Sequence, residues 1–376
     1  MTEYRFARLG EEEAILDHIN LVFSQAHEPH HFDRLIPKVY GHAGHAPLHA
    51  IALEDGHIRA AIGLLPMELM MDGKHILKLG FVGSVSVHER YRGRGYMKKL
   101  MEMIVARGKE LGCDFLALGG QRQRYGYWGF ECGGCSLRFE ITRANIRHAL
   151  KEVDGTAIRI RRIEDEKDAA LDAAYALYER QPMLCRRSRE DFLTIMRTWN
   201  HDLFALEKEG RLIGYYCGEE GWIGELALLD EGDLLPLIKA WMGERKSGAV
   251  SVPAHMQGRA RALKAFAEEY SIQDRDMFRI YNWPRVLSAA LEVKHGFAPL
   301  MDGRMTFEIE GEGKFTLSLE NGKAGVTQTE DAPEMRMTPN QAVEFFFSPF
   351  SAFYAPDGLM KCWLPLPLGI PSADAF

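Results

Sequence analysis

One stretch constrains the fold of this chain more than any other: GSVSVHERYRGRGYMKKLMEMI, residues 83–104. Phe81, Gly83, Val85 and Val87 alternate with Val82, Ser84 and Ser86, so a strand here turns the two sets to opposite faces. Past Gly95, residues Met97, Leu100, Met101, Ile104 and Val105 recur at helical spacing and mark one apolar face. The run Arg-Tyr-Arg-Gly-Arg-Gly therefore falls at a strand-to-helix junction. Its glycines let backbone N–H groups approach a ligand closely, and the helix N-terminus adds partial positive charge. Arg90, Arg92 and Arg94 add full charges, an arrangement that suits a pyrophosphate. The Gly-Lys-Ser/Thr of a P-loop is absent, and no third glycine completes a dinucleotide-binding fingerprint.

Around this junction the chain reads as α/β. YRFARL is a short strand, and GEEEAILDHINLVFSQ a helix with Ile15, Ile19, Val22 and Phe23 on one side. Asp-Gly pairs in EDGH and MDGK mark tight hairpins. From about Lys151 the order starts again: a strand and helix in IRIRRIEDEKDAALDAAYALYER, then hairpins turned at KEGR. This second copy has no Arg-Gly loop. From roughly Pro284 the character changes to a β meander turning at Asn321-Gly322, then a helix capped by Thr338 with Pro339 at its first position. The reading is three units, 1–145, 146–285 and 286–376.

A length of 376 residues with 46% hydrophobic residues supports two or three domains, and a net charge of −7 argues against a nucleic-acid binder. The N-terminus is acidic where a signal peptide would be basic, and no uninterrupted apolar run has bilayer length, so a cytoplasmic chain with no membrane partner is expected. Cys132 and Cys135 have redox or half-zinc spacing, but no second pair follows, which favours reduced structural thiols. Six histidines from His27 to His49 sit among Pro and Gly, His30 and His31 adjacent, which favours a loop-rich, partly helical wall over a metal site. No metal is expected.

Arg90-x-x-Gly93-x-Gly95 resembles the coenzyme A loop of the GCN5-related N-acetyltransferases (GNAT). After the helix, CDFLALGG reads as a strand, and QRQRYGYWGFE resembles the aromatic turn of the same family, ending in Gly-Phe-Glu. The layout of one complete unit, a second without the loop and a C-terminal α/β unit resembles the enhanced-intracellular-survival (Eis) acetyltransferases. The resemblance implies tandem GNAT-fold domains followed by a domain similar to sterol carrier protein 2 (SCP2). It also implies acetyl-CoA as co-substrate. Val85, Ser86 and Val87 would bind the donor through backbone groups, and Arg90, Arg92, Gly93, Arg94, Gly95, Tyr96, Met97 and Lys98 would wrap the pyrophosphate. Gly120 and Gln121 would touch the pantetheine end.

Tyr125 matches the family's general acid for the departing thiolate, with Tyr127 the neighbouring alternative. The family's base is the carboxylate of the last residue, here Phe376. The tail CWLPLPLGIPSADAF is apolar, which favours docking over fraying. It would either place Phe376 in the site or simply pack on the third unit. The implied reaction is direct acetyl transfer to a small cationic amine, aminoglycoside- or polyamine-like, with the chain in a homo-oligomer, a hexamer in relatives. The rival reading is a non-catalytic coenzyme A- or lipid-binding protein built on the third unit.

Overall fold

The structure, a computed structural model, describes residues 2–26 and 28–376, so His27 lies outside the described residues. Its first sheet has eight strands. β1 (Glu3–Phe6), β2 (His49–Glu54), β3 (His57–Met71) and β4 (His75–Val87) follow one another antiparallel. Helix α1 (Glu12–Ala26) buries Ile15, Ile19 and Val22, as its spacing requires. The hairpin turns carry positive φ at both central residues, 54° and 75° at Asp55–Gly56 and 51° and 63° at Asp72–Gly73. Such mirror-image turns match the twist of the flanking strands. Between β1 and β2, the histidine-rich wall holds two single-turn helices, α2 (Phe32–Leu35) and α3 (Pro37–Tyr40).

Past β4 comes α4 (Tyr96–Glu110), which buries Leu100, Met101 and Ile104 and returns the chain to β5 (Phe115–Leu118), parallel to β4. The single-turn α5 (Arg122–Tyr125) and β6 (Glu131–Gly133) follow. Then the units exchange strands. β7 (Ser136–Thr142) leaves for the second sheet, and Asp276–Ile280 returns from beyond it to lie between β5 and β6. The strand Met183–Cys185 also pairs with the far end of β3. Each unit thus completes its neighbour's sheet.

The second sheet has seven strands, in the order Glu269–Gln273, β7, Ser247–Pro253, Trp222–Leu228, Arg211–Glu219, Asp202–Lys208 and Ile158–Arg162. Its strand Trp222–Leu228, helix Leu234–Met242 and parallel strand Ser247–Pro253 repeat the β4–α4–β5 order. At the equivalent junction Asp230 caps a short turn by accepting from Gly232 N–H, where the first unit has arginines and glycines. The third sheet has four strands, Lys323–Gln328, Gly313–Glu320, Gly303–Ile309 and Met335–Met337. The helix Pro339–Phe347 starts in a capping box between Thr338 and Gln341.

The first sheet has a core on each face. Val82, Leu100, Ile104, Leu118, Tyr125 and Phe130 gather on the α4 side. On the other face, Ile15, Phe32 and Phe81 join Trp283, Phe307, Trp363 and Phe376, so the third unit and the tail share a core with the first. Among the described residues no helix is long and apolar enough to cross a membrane.

Candidate active site

β4 and β5 pair only from Leu79 opposite Phe115 to Val82 opposite Leu118. β4 runs on to Val87, whereas β5 stops at Leu118 and the chain turns away through Gly119 and Gly120. The strands part at this point, and the backbone edge of β4 from Gly83 to Val87 faces the gap. Inside the gap β4 carries a bulge: Gly83 pairs with Gly63 and Ser86 with Ala61, three steps against two, and Ser84 has a φ of 50°. The bulge corrects the strict alternation expected for residues 81–87. Val85 and Val87 share the α4-side core with Val82, while Phe81 lies in the core on the opposite face. One extra residue inverts the pattern beyond it.

At the end of β4, Gly93 and Gly95 have φ values of 79° and 80°, a left-handed conformation that side chains resist. Gly95 is the N-cap of α4, so the first-turn N–H groups of that helix open toward the loop. A cavity of about 540 Å³ lies here, lined by Val85, Val87, Arg92, Gly93, Gly95, Tyr96, Met97 and Gln121. Those eight expected donor-binding residues are brought together. Arg90, Arg94 and Lys98 are exposed and do not line the cavity. Arg94 is held 3.3 Å from Glu54 and lies over the Tyr91 ring. Ser86 turns its hydroxyl to Ala61 O, leaving only its backbone for a ligand. The cavity also uses Val22 and Phe23 of α1, Tyr91 and Arg124, which the sequence reading did not assign to the site. Val22 and Phe23 were legible only as a core face.

Tyr125 ends α5 with 5% of its surface exposed, whereas Tyr127 is 89% exposed. Its ring packs on Gly120, where an added Cβ would lie 2.7 Å from Tyr125 Cε2. Burial raises the phenol pKa, and Arg124 opposes the shift only in part, so the proton stays on the oxygen at neutral pH.

The last residue reaches β4. A Cβ on Gly83 would lie 2.6 Å from the Phe376 carbonyl carbon, and one on Gly63 would lie 2.5 Å from the edge of its ring. Two glycines on paired strands thus make the seat of the C-terminus. Around it, the Tyr40 hydroxyl lies 2.7 Å from Ser84 Oγ and 2.9 Å from His49 Nε2, and His49 Nδ1 lies 3.0 Å from His45 O. Burial pushes the His49 pKa down to about 4, so this imidazole is neutral, with its Nδ1–H on the carbonyl. The approach to Phe376 is pinned as well. Lys38 Nζ donates to Ala373 O at 2.8 Å, Trp199 Nε1 to Ala375 O at 3.3 Å, and Arg187 pairs with Asp374 at 2.7 Å and Glu225 at 3.0 Å. Tyr125 belongs to the core on one face of the sheet and Phe376 to the core on the other, and neither lines the cavity at the loop.

All six cysteines are free thiols, and burial raises Cys135 to about 11. Among the described residues no three His, Cys, Asp or Glu side chains gather as metal ligands.

Residues 3–133 match the family model described as an acetyltransferase (GNAT) domain. A sequence search of curated proteins returns no match. Among solved structures, the GCN5-related N-acetyltransferase of Kribbella flavida superposes with a TM-score of 0.69 at 17% identity, covering 100% of this chain and 98% of that one. The GCN5-related N-acetyltransferase of Anabaena variabilis gives 0.67 at 16% identity, with both chains fully covered. Eis1 of Mycobacterium abscessus gives 0.66 at 14%, again with full coverage of both. The whole chain therefore shares its fold with these proteins, and within it residues 3–133 match the acetyltransferase (GNAT) domain.

Proposed function

We propose that the chain transfers acetyl from acetyl-CoA directly to the amine of a small cationic acceptor, aminoglycoside- or polyamine-like. The observation that supports this reading is the seating of the terminal residue against Gly83, beside the bulge of β4. Acetyl transfer needs a group on each side of the thioester carbon. One must handle the proton of the incoming amine and the other must protonate the departing sulfur.

The donor's pyrophosphate would lie on the N–H groups around Gly93 and Gly95, with Arg92 adding charge, and its pantetheine arm along the free edge of β4. The amine nitrogen attacks the thioester carbon from the Phe376 side. Developing charge on the carbonyl oxygen meets backbone N–H groups of the bulged strand. The C–S bond breaks as Tyr125 gives its phenolic proton to sulfur, and the amine proton leaves toward the terminal carboxylate or a water it holds. A primary amine of pKa about 10.4 is neutral in only about one molecule per thousand at pH 7.4, a cost of about 4 kcal/mol. A carboxylate there draws the ammonium in by its charge. The N-acetylated product and free coenzyme A then leave, with no acyl-enzyme formed.

By resemblance to Eis-type enzymes, the C-terminal unit is proposed to be SCP2-like and the chain to work in the cytoplasm as a homo-oligomer. The loop, the phenol and the terminus support catalysis over the rival, a binding protein without it. The test is release of free thiol from acetyl-CoA across a panel of amines. Active amines should be cations, and Tyr125→Phe should lower kcat about 10²-fold or more while leaving the acetyl-CoA Kd unchanged. Unchanged turnover in Tyr125→Phe would remove the tyrosine from the mechanism.

A further inference from the structure

A second cavity, of about 250 Å³, lies away from the acetyl-donor site, where the strand Trp222–Leu228, the 253–257 segment, the helix Trp283–Phe297 and the tail 365–372 converge. Most of its wall is apolar: Met183, Leu226, Met256, Phe297, Leu366 and Leu368. Three basic side chains, His255, Arg275 and Lys294, enter the same wall. His255 Nε2 is buried with no hydrogen-bond partner, and its ring stands 6.0 Å from that of Phe297. The stem of Arg275 runs past Gly369, where a Cβ would lie 3.7 Å from its Cδ. Among the described residues its guanidinium makes no ion pair and no side-chain hydrogen bond.

The other charges are committed. Lys294 Nζ donates to Trp363 O at 2.7 Å and Pro365 O at 3.0 Å, so it holds the tail and contributes only its field. The one carboxylate in the wall, Glu225, already accepts from Arg187 and from the Tyr215 hydroxyl. Asp276, beside Arg275 in sequence, accepts from the Ile370 backbone and keeps Oδ2 buried without a hydrogen bond; burial pushes its pKa up to about 6 against the field of Arg275, so it is a weak competitor for that guanidinium. An apolar cavity thus keeps one unpaired guanidinium and one orphaned ring nitrogen. The buried ring nitrogen of His255 calls for a partner, and the half-buried Arg275 lies close enough to act on it electrostatically.

We propose that this cavity binds a small amphipathic carboxylate, its anionic head between Arg275 and His255 and its aliphatic chain along Met256, Phe297 and Leu366. A guanidinium meets a carboxylate through paired N–H donors, a stronger contact than a neutral hydrogen bond. The imidazole supplies another donor. The volume falls just below the roughly 300 Å³ at which drug-sized sites begin, which sets the ligand as a short acyl chain. Burial, with Arg259 and Arg275 nearby, pushes the His255 pKa down to about 4, and an anion here would relieve that crowding of positive charge. The site stands independently of acetyl transfer.

Calorimetric titration of the full chain, saturated with coenzyme A to occupy the donor site, tests this with octanoate and octylamine. Octanoate should bind and octylamine should not. Arg275→Gln should weaken octanoate about tenfold or more, the size expected for losing a charged hydrogen bond, with partial recovery in Arg275→Lys. Met256→Trp, which fills the apolar end, should abolish binding while coenzyme A affinity stays the same. Equal affinity for octylamine, no binding of octanoate, or octanoate affinity untouched by Met256→Trp would each overturn the proposal. If Arg275→Gln does not fold, the octylamine comparison and Met256→Trp still decide.

Discussion

At Gly83 any side chain would collide with the last residue of the same chain, 293 positions away, and Gly63 does the same for the ring of that residue. Gly83→Ala must displace the terminus or the strand, at a cost of about 1–3 kcal/mol in stability. Its kcat should fall about tenfold or more by misplacing the carboxylate, while acetyl-CoA affinity, set at the loop, changes little. Steady-state kinetics with a donor-binding titration separates the two effects. Sequence reasoning found the ends of this pairing but not the pairing itself. The apolar tail marked Phe376 as docked, and the resemblance pointed to its role, yet nothing local marks Gly83 and Gly63 as its seat. Tyr40, Ser84 and His49 were missed for the same reason, since their contacts join a wall, a bulge and a strand end with no shared motif.

The βα junction is where the sequence was most legible, because its signals are local: glycines at positive φ, an N-cap and a helical apolar face. What it did not reveal was which arginines remain available. Arg92 lines the cavity, whereas Arg94 is occupied by Glu54 and Tyr91. Arg92→Gln should therefore weaken acetyl-CoA about tenfold or more, and Arg94→Gln by only a few-fold, measured by titration at fixed ionic strength. Equal losses would show that Arg94 leaves Glu54 to meet the donor. The hairpins were equally readable, since Asp-Gly turns fix their own geometry. The bulge was not, because a strand's alternation gives no sign of an inserted residue until its partner is known.

Over the whole molecule, the duplication was visible as a repeated order of elements, but the exchange of strands between the two sheets was not. β6 and Met183–Cys185 have three residues each, too few to show a period, and Asp276–Ile280 finds its partners across more than 140 residues of chain. The exchange, the shared core and the Arg187 cluster tie the units together. Arg187 is buried between Asp374 and Glu225, so Arg187→Met leaves two carboxylates without their cation, a loss of about 3–5 kcal/mol. Differential scanning calorimetry should show it as a lower Tm for the whole chain. Acid should act globally too. Burial lowers both His18 and His49 to about 4. Unfolded histidines take a proton near pH 6.5, which these two refuse, so stability is full above that pH and falls as the pH drops from 6.5 toward 4. Each site contributes up to about 3 kcal/mol at the low end. Tm measured at pH 7.5 and 5 should drop, and His18→Gln should flatten the slope; a slope unchanged in that variant would place the effect elsewhere.

The central claim is that the chain's own terminal carboxylate, seated at β4, handles the proton of the acceptor. Adding a single glycine after Phe376 moves that carboxylate by one residue and puts a neutral amide in its place, with the donor loop untouched. Acetyl transfer by the extended protein should fall about 10²-fold or more, with wild-type affinity for acetyl-CoA. Full activity in the extended protein would contradict the account.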